Sequence, residues 1–298
     1  MTRLPFKTVD VFTSIPLKGN PVAVVLDGAG LSTAQMQQIA SWTNLSETTF
    51  VVPVTDATAD YHVRIFTPGA ELPFAGHPTI GTAHALLEAG AITAHDGVLT
   101  QQCQAGLIRL TVTEAGAHSS AESNGSGARW IAFDLPPAVL TALDAAAVRE
   151  LVALLGVEVA AGTAPHLVDV GARWVVAQLP SAEAVLACAP DLARMKAQDI
   201  AGRHTGVVIF GAHAGGGIEV RAFAPAHDIG EDPVCGSGNG AVGAYIRHTG
   251  QTSSFGATLR ASQGAVVGRA GVIRLTITDA LIRVAGQAVT CVDGSLLV

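Results

Sequence analysis

Val63-Arg64-Ile65-Phe66-Thr67-Pro68 returns later in the chain as Val220-Arg221-Ala222-Phe223-Ala224-Pro225. Each copy leads through a short loop into a glycine-containing segment that ends in glycine: Gly76-His77-Pro78-Thr79-Ile80-Gly81 on to Gly90, and Gly236-Ser237-Gly238-Asn239-Gly240 on to Gly250. The echo continues in Gly106-Leu107-Ile108-Arg109-Leu110-Thr111-Val112-Thr113, which matches Gly271-Val272-Ile273-Arg274-Leu275-Thr276-Ile277-Thr278 almost letter for letter. Two matched halves imply two similar domains related by approximate two-fold symmetry. They also imply two equivalent glycine-rich turns that face each other across a cleft.

The segments between these landmarks define the elements. Val9 to Phe12 and Val22 to Leu26 read as strands joined through the turn-rich Lys18-Gly19-Asn20-Pro21. Ser32-Thr33-Ala34-Gln35 has the spacing of a capping box and opens a helix to about Trp42. The β-branched run 48–54 and the alternating run 61–66 read as strands. Between Thr79 and Ala89 the only formal charge is Glu88. A helix apolar nearly all round belongs inside a structure rather than on its surface, and Asn239 to His248 has the same character until Arg247. Strands flank both segments, so the expected fold is α+β: two pseudo-symmetric domains, each a curved mixed β-sheet or barrel wrapped around a central buried helix.

The Gly/Ser-rich stretch 115–128 reads as a flexible polar linker. The expected domains are 1–118 with 280–298, and 129–279, the last segment crossing back to complete the first domain's sheet. In the second half, 141–155 and 182–198 read as helices, with strands at 167–170 and 174–179 between them.

A chain of 298 residues with 49% hydrophobic and 14% charged residues has ample material for two cores. No uncharged run reaches the roughly 18 apolar residues of a membrane span. The opening Met1-Thr2-Arg3-Leu4-Pro5-Phe6-Lys7 lacks a signal-peptide h-region. Cys103, Cys188, Cys235 and Cys291 form no CxxC pair, so neither a metal site nor a disulfide framework is expected, and a cytoplasmic location is the simplest account. A formal charge of −7 and the lack of any Lys/Arg cluster argue against nucleic acid and anionic membranes as partners.

Four places hold polar residues that solvation alone does not explain. Glu47 sits directly before a strand that should be buried. It is either a charged strand edge or a carboxylate whose partly apolar surroundings raise its pKa toward neutrality. His77 at a helix start is either a cap or a site residue. Asp232, before Pro233, and Asn20, before Pro21, have turn roles as their default. The repeat changes this balance. Ala75-Gly76-His77 aligns with Cys235-Gly236-Ser237, so both turns present backbone N–H groups at a helix N-terminus, where a small carboxylate binds well.

At these residues the chain resembles the PhzF family of phenazine-biosynthesis-type isomerases, within the diaminopimelate epimerase-like fold. The resemblance runs from Val9-Asp10-Val11-Phe12 and Gly19-Asn20-Pro21 to the terminal strands. Its specific parts are Leu45-Ser46-Glu47-Thr48-Thr49-Phe50, Phe66-Thr67-Pro68, Gly76-His77-Pro78-Thr79-Ile80-Gly81 and Glu231-Asp232-Pro233-Val234-Cys235-Gly236-Ser237. It implies a cofactor-free homodimer acting on a small carboxylate-bearing substrate between the domains. Glu47 matches the general acid/base, and His77, Asp232 and Ser237 match supporting polar groups. Asn20, Ser46 and Gly76 match pocket-lining positions, and Pro78, Thr79, Gly236 and Gly238 complete the two substrate-binding turns. The family's characterised reaction is isomerisation of trans-2,3-dihydro-3-hydroxyanthranilate by a proton shift.

Related racemases use one cysteine on each turn, because inversion needs an acid and a base on opposite faces. Here Cys235 stands on the second turn and Ala75 on the first, so that mechanism lacks one thiol. Two alternatives stay open: epimerisation with Glu47 and Cys235 as an unconventional pair, and a catalytically silent small-molecule-binding relative. Cys235 occupies a position that is commonly threonine, and Asn239 one that is often histidine. A helix N-terminus lowers a thiol pKa, whereas packing behind the turn makes Cys235 a small inert residue, and the second role is expected.

Overall fold

The protein is described by a computed structural model that covers residues 2–114 and 129–298, so the expected linker at 115–128 lies outside the described residues. The chain forms two compact units, Met1–Phe133 with Ala285–Val298, and Asp134–Val284.

The first unit contains β1 (Arg3–Val11), β2 (Asn20–Val25), α1 (Thr33–Thr43), β3 (Thr48–Val52), β4 (Tyr61–Phe66), β5 (Glu71–Leu72), α2 (Gly76–Glu88), β6 (Val98–Cys103), β7 (Gly106–Glu114) and β8 (Arg129–Asp134). Antiparallel pairs β1–β2, β3–β4 and β6–β7 alternate with parallel pairs β2–β3 and β4–β6. A parallel pair needs a crossover, and α1 and α2 supply the two. Strand β8, where the second half was expected to open, pairs with β7.

The second unit holds β9 (Val139–Ala142), α3 (Ala145–Leu155), β10 (His166–Asp169), β11 (Arg173–Gln178), α4 (Ala182–Ala187), α5 (Leu192–Gly202), β12 (Gly206–Ala212), β13 (Ile218–Ala224), β14 (Ile229–Asp232), α6 (Gly236–His248), α7 (Thr252–Phe255), β15 (Thr258–Gln263), β16 (Gly271–Ile277) and β17 (Ile282–Gly286). Its pairs follow the same alternation: β10–β11, β12–β13 and β15–β16 antiparallel, β11–β12 and β13–β15 parallel. The repeat read in sequence is therefore a repeat of topology. The last strand, β18 (Ala288–Leu297), runs antiparallel to β1.

Both central helices are buried along their length. In α2 every residue from Gly76 to Leu86 except His84 is buried, and in α6 so is every residue from Gly236 to Ile246 except Ser237. Their ends match too. Gly90, with φ 67°, closes α2 through Gly90 N–H to Leu87 O and Ala91 N–H to Leu86 O, at 3.2 and 3.0 Å. Gly250, with φ 70°, closes α6 through Gly250 N–H to Arg247 O and Gln251 N–H to Ile246 O, at 3.2 and 2.9 Å. Each is a Schellman motif, which needs a left-handed residue after the cap. A side chain on Gly81 would collide with Val22 Cγ1, so glycine lets α2 lie directly on β2.

The quoted hexapeptides have a shared physical role. Arg64 forks onto Glu71 at 2.7 and 2.6 Å and lies 5.1 Å from the Phe66 ring centre. Arg221 forks onto Glu231 at 3.0 and 2.8 Å and lies 4.9 Å from the Phe223 ring centre. In both units the arginine thus ties its own strand to the short strand that leads into the glycine turn.

Helix α1 opens on the expected box, with Gln35 N–H donating to Ser32 Oγ at 3.3 Å and Ser32 N–H donating to Gln35 Oε1 at 2.9 Å. Two expectations are corrected. The segment read as one helix over 141–155 begins as strand β9, because the Asp144 carboxylate caps α3 from Ala146 and Ala147 N–H and fixes the helix start there. The segment 182–198 is two helices. Pro190 cannot continue α4, and Asp191 caps a new start through Arg194 N–H at 3.0 Å.

Candidate active site

In the first unit, Asn44 ends α1 in a left-handed conformation, φ 54°, and the chain passes through Leu45 and Ser46 to Glu47 at the head of β3. Ala23 N–H donates to Glu47 O at 3.3 Å, which draws this corner onto β2. His77, second residue of α2, is buried, and its Nε2 lies 3.2 Å from Glu47 Oε2. The structure thus brings together the two residues that carry most of the expected chemistry.

The histidine's state follows from its surroundings. Its ring is bonded to the backbone of Pro21, and burial lowers its pKa to about 3. Proline offers only a carbonyl, so the ring nitrogen there donates. With Nε2 beside Glu47, the donor is Nδ1, and the neutral imidazole leaves Nε2 without a proton next to the carboxyl. The two atoms approach to 3.2 Å without hydrogen-bonding each other. An ion pair in the same place would require two buried charges.

The remaining expected residues of this unit surround the pair in different ways. Asn20 is buried and opposes Val11 in the β1–β2 ladder, while the adjacent Gly19 N–H donates to the buried Asp10 Oδ2 at 3.3 Å. Ser46 is half-buried beside Glu47. Gly76 permits close approach, since a side chain there would meet Phe133 Cζ at 2.7 Å. Pro78 has no N–H, and Thr79 N–H donates to Ala75 O at 3.3 Å. The Thr79 hydroxyl accepts from Gln101 Nε2 at 3.0 Å, and Gln101 Oε1 accepts from the Tyr61 hydroxyl at 2.9 Å. Thr79 is thus committed to an internal chain of hydrogen bonds.

In the second unit, Asp232, Gly236, Ser237 and Gly238 gather around Cys235, the N-cap of α6. Cys235 Sγ accepts from Gly238 N–H at 3.3 Å and lies 3.6 Å from Ser237 Oγ. Burial and the neighbouring Asp232 push this thiol well above its ordinary pKa. The helix terminus does not activate it, and the inert packing role is the one that fits. Asp232 keeps part of its surface exposed, yet desolvation raises its carboxyl to about 6. Val234 N–H donates to Asp232 Oδ1 at 3.1 Å, and the Cys235 thiol bonds the same carboxyl.

Sequence reading missed three participants. Trp174, on β11, donates from Nε1 to Ser237 Oγ at 3.1 Å. Gln263, at the end of β15, bonds the turn at several points and holds Asn239 Nδ2 at 2.8 Å. Pro21 contributes the carbonyl that fixes the His77 tautomer. The Gly19-Asn20-Pro21 motif pointed to Pro21, whereas nothing local marks Trp174 or Gln263. Among the described residues no group of three His, Cys, Asp or Glu is placed to hold a metal ion, and no helix is long and apolar enough to cross a membrane.

A family model described as phenazine biosynthesis-like protein matches residues 9–294. The chain is 39% identical over 303 residues to the Schizosaccharomyces pombe protein called antisense-enhancing sequence 1, covering 99% of each. It is 37% identical over 262 residues to a trans-2,3-dihydro-3-hydroxyanthranilate isomerase of Pseudomonas fluorescens, covering 88% of this chain and 86% of that one. A Bacillus anthracis phenazine biosynthesis protein of the PhzF family has the same fold, with a TM-score of 0.82 at 23% identity over 100% of both chains.

Proposed function

The chain belongs to the PhzC-PhzF family and is an isomerase of that family, and from this premise we propose that Glu47 moves a proton on a small carboxylate-bearing substrate. The observation that carries the reading is the buried approach of Glu47 Oε2 to His77 Nε2 at 3.2 Å. A general acid/base has to hold its proton at one step and release it at another. His77, neutral and turned by Pro21, stands 3.2 Å from the carboxyl and offers no permanent charge to trap the base form. Removal of a substrate proton by ionised Glu47 gives its acid form. Return of the proton to a different carbon of the same conjugated system completes the shift.

We take His77, Asp232 and Ser237 to serve the same substrate, on the strength of the sequence repeat and the resemblance. Asn20, Ser46 and Gly76, with Pro78, Gly236 and Gly238 of the two turns, form the binding surface in this reading, Thr79 supports it from inside, and the working assembly is a homodimer. The first candidate substrate is trans-2,3-dihydro-3-hydroxyanthranilate, the compound named for the Pseudomonas fluorescens relative. Epimerisation by Glu47 and Cys235 is disfavoured, because the thiol would have to give up its proton to the opposite face and leave a thiolate where burial and the neighbouring Asp232 oppose it.

Proton NMR of that compound in D₂O tests the proposal. Wild-type protein should deplete the starting resonances with deuterium entering the product, and Glu47→Gln should lose at least roughly 10²-fold in rate, the usual scale of general acid–base catalysis. A Glu47→Gln protein with wild-type turnover would overturn the assignment.

A further inference from the structure

Gln263 is buried at the end of β15 and turns both ends of its amide onto the second glycine turn. Its Oε1 accepts from Cys235 N–H at 3.1 Å and from Asn239 Nδ2 at 2.8 Å, and its Nε2 donates to Asp232 O at 2.9 Å. Asn239 Nδ2 also donates to Cys235 O at 2.9 Å, which closes the ring. One side chain therefore grips the backbone on both sides of Pro233-Val234. It fixes where Asp232 ends and where the α6 cap begins.

The first turn shows that the fold does not require this grip. By strand register, Gln263 pairs with Gly271 as Cys103 pairs with Gly106, so cysteine occupies the corresponding place in the first unit. There α2 (Gly76–Glu88) is as long as α6, 13 residues each, and its N-cap Ala75 makes no side-chain bond. The glutamine serves only the turn that carries Asp232 and Ser237.

We propose that Gln263 is the positioning residue of this turn, holding the Asp232 carboxyl and the α6 N-terminus in their working arrangement. It acts through the residues it holds and does not itself touch substrate. Its bearing on turnover rests on the function proposed above, whereas its effect on the turn does not.

The test compares wild type with Gln263→Met, which keeps the shape of the side chain and removes all three bonds. Carbon-13 NMR of the aspartate carboxyls should show Asp232 of the wild type titrating at about 6. In the variant it should titrate closer to an ordinary carboxylate, because a loosened turn admits water and relieves the desolvation that raises it. kcat should fall at least about tenfold with KM changed less than about threefold, since misplacement costs more in the transition state than in binding. A folded variant with wild-type carboxyl titration and wild-type kcat overturns the proposal. Should the variant fail to fold, amide exchange in the wild type decides: Cys235 N–H protected as strongly as the α6 amides supports it, and fast exchange there sinks it. The titration and exchange need no substrate. A wild-type protein without isomerase activity would therefore defeat the proposed function and leave these readouts intact.

Discussion

Asp232 carries a stability cost whose size and pH dependence follow from its place. The carboxyl titrates at about 6 instead of 3.8, chiefly because burial disfavours the charged form. The folded protein therefore binds more protons than the unfolded chain between these values. The favourable contribution is fully present below pH 3.8 and is lost as pH rises through 6. Above pH 7 the ionised group opposes folding. A difference of about two pH units at roughly 1.36 kcal/mol each gives an upper bound of about 3 kcal/mol, reduced where solvent reaches the exposed side of the residue. Asp232→Asn keeps the oxygen that accepts from Val234 N–H and removes the charge. At pH 8 it should therefore be more stable than wild type by about 1–3 kcal/mol, and the gain should vanish near pH 4. Urea unfolding followed by circular dichroism at pH 4.5, 6 and 8 measures this difference directly. His77, which is buried neutral and loses stability as pH falls from 6.5 toward 3, is common to both proteins and cancels from the comparison. A difference that is the same at pH 4.5 and pH 8 would refute the reasoning.

Three further outcomes are expected. Cys235→Thr should keep turnover within about threefold, because a threonine hydroxyl caps α6 as the sulfur does; turnover measurements that collapse would favour a two-base mechanism. Gly76→Ala should lower stability by about 1–3 kcal/mol, the usual cost of overpacking, since the new carbon meets Phe133 at 2.7 Å. A melting temperature equal to wild type would contradict that contact. Arg221→Met should cost about 3–5 kcal/mol in a denaturant titration by leaving Glu231 buried without its partner, and Arg64→Met should cost less, because the Arg64–Glu71 pair is more exposed. The reverse order would be incompatible with the burial of the two forks.

Much of the architecture was legible in the chain. The near absence of charge between Thr79 and Ala89 identified a buried helix, because only an element enclosed by others tolerates apolar residues all round. Ser32 with Gln35 marked a helix start, and Gly90 and Gly250 marked two helix ends. Local reading failed where one residue decided between neighbouring states: Pro190 split a helix, and Asp144 delayed another by capping it late.

The sequence by itself determined the repeat, the two enclosed helices, the glycine turns and Glu47 as the residue to suspect. These features are local or periodic, and a short segment displays them without its surroundings. Only the tertiary structure decided the chemistry of the parts. The Pro21 carbonyl sets the His77 tautomer, burial with Asp232 beside it raises the Cys235 thiol that a helix N-terminus would lower, Trp174 orients Ser237, and Gln263 clamps a turn it meets across about thirty residues of chain. Hydrogen-bond direction and desolvation depend on which distant groups arrive at the same point. No periodicity in the chain records that arrival.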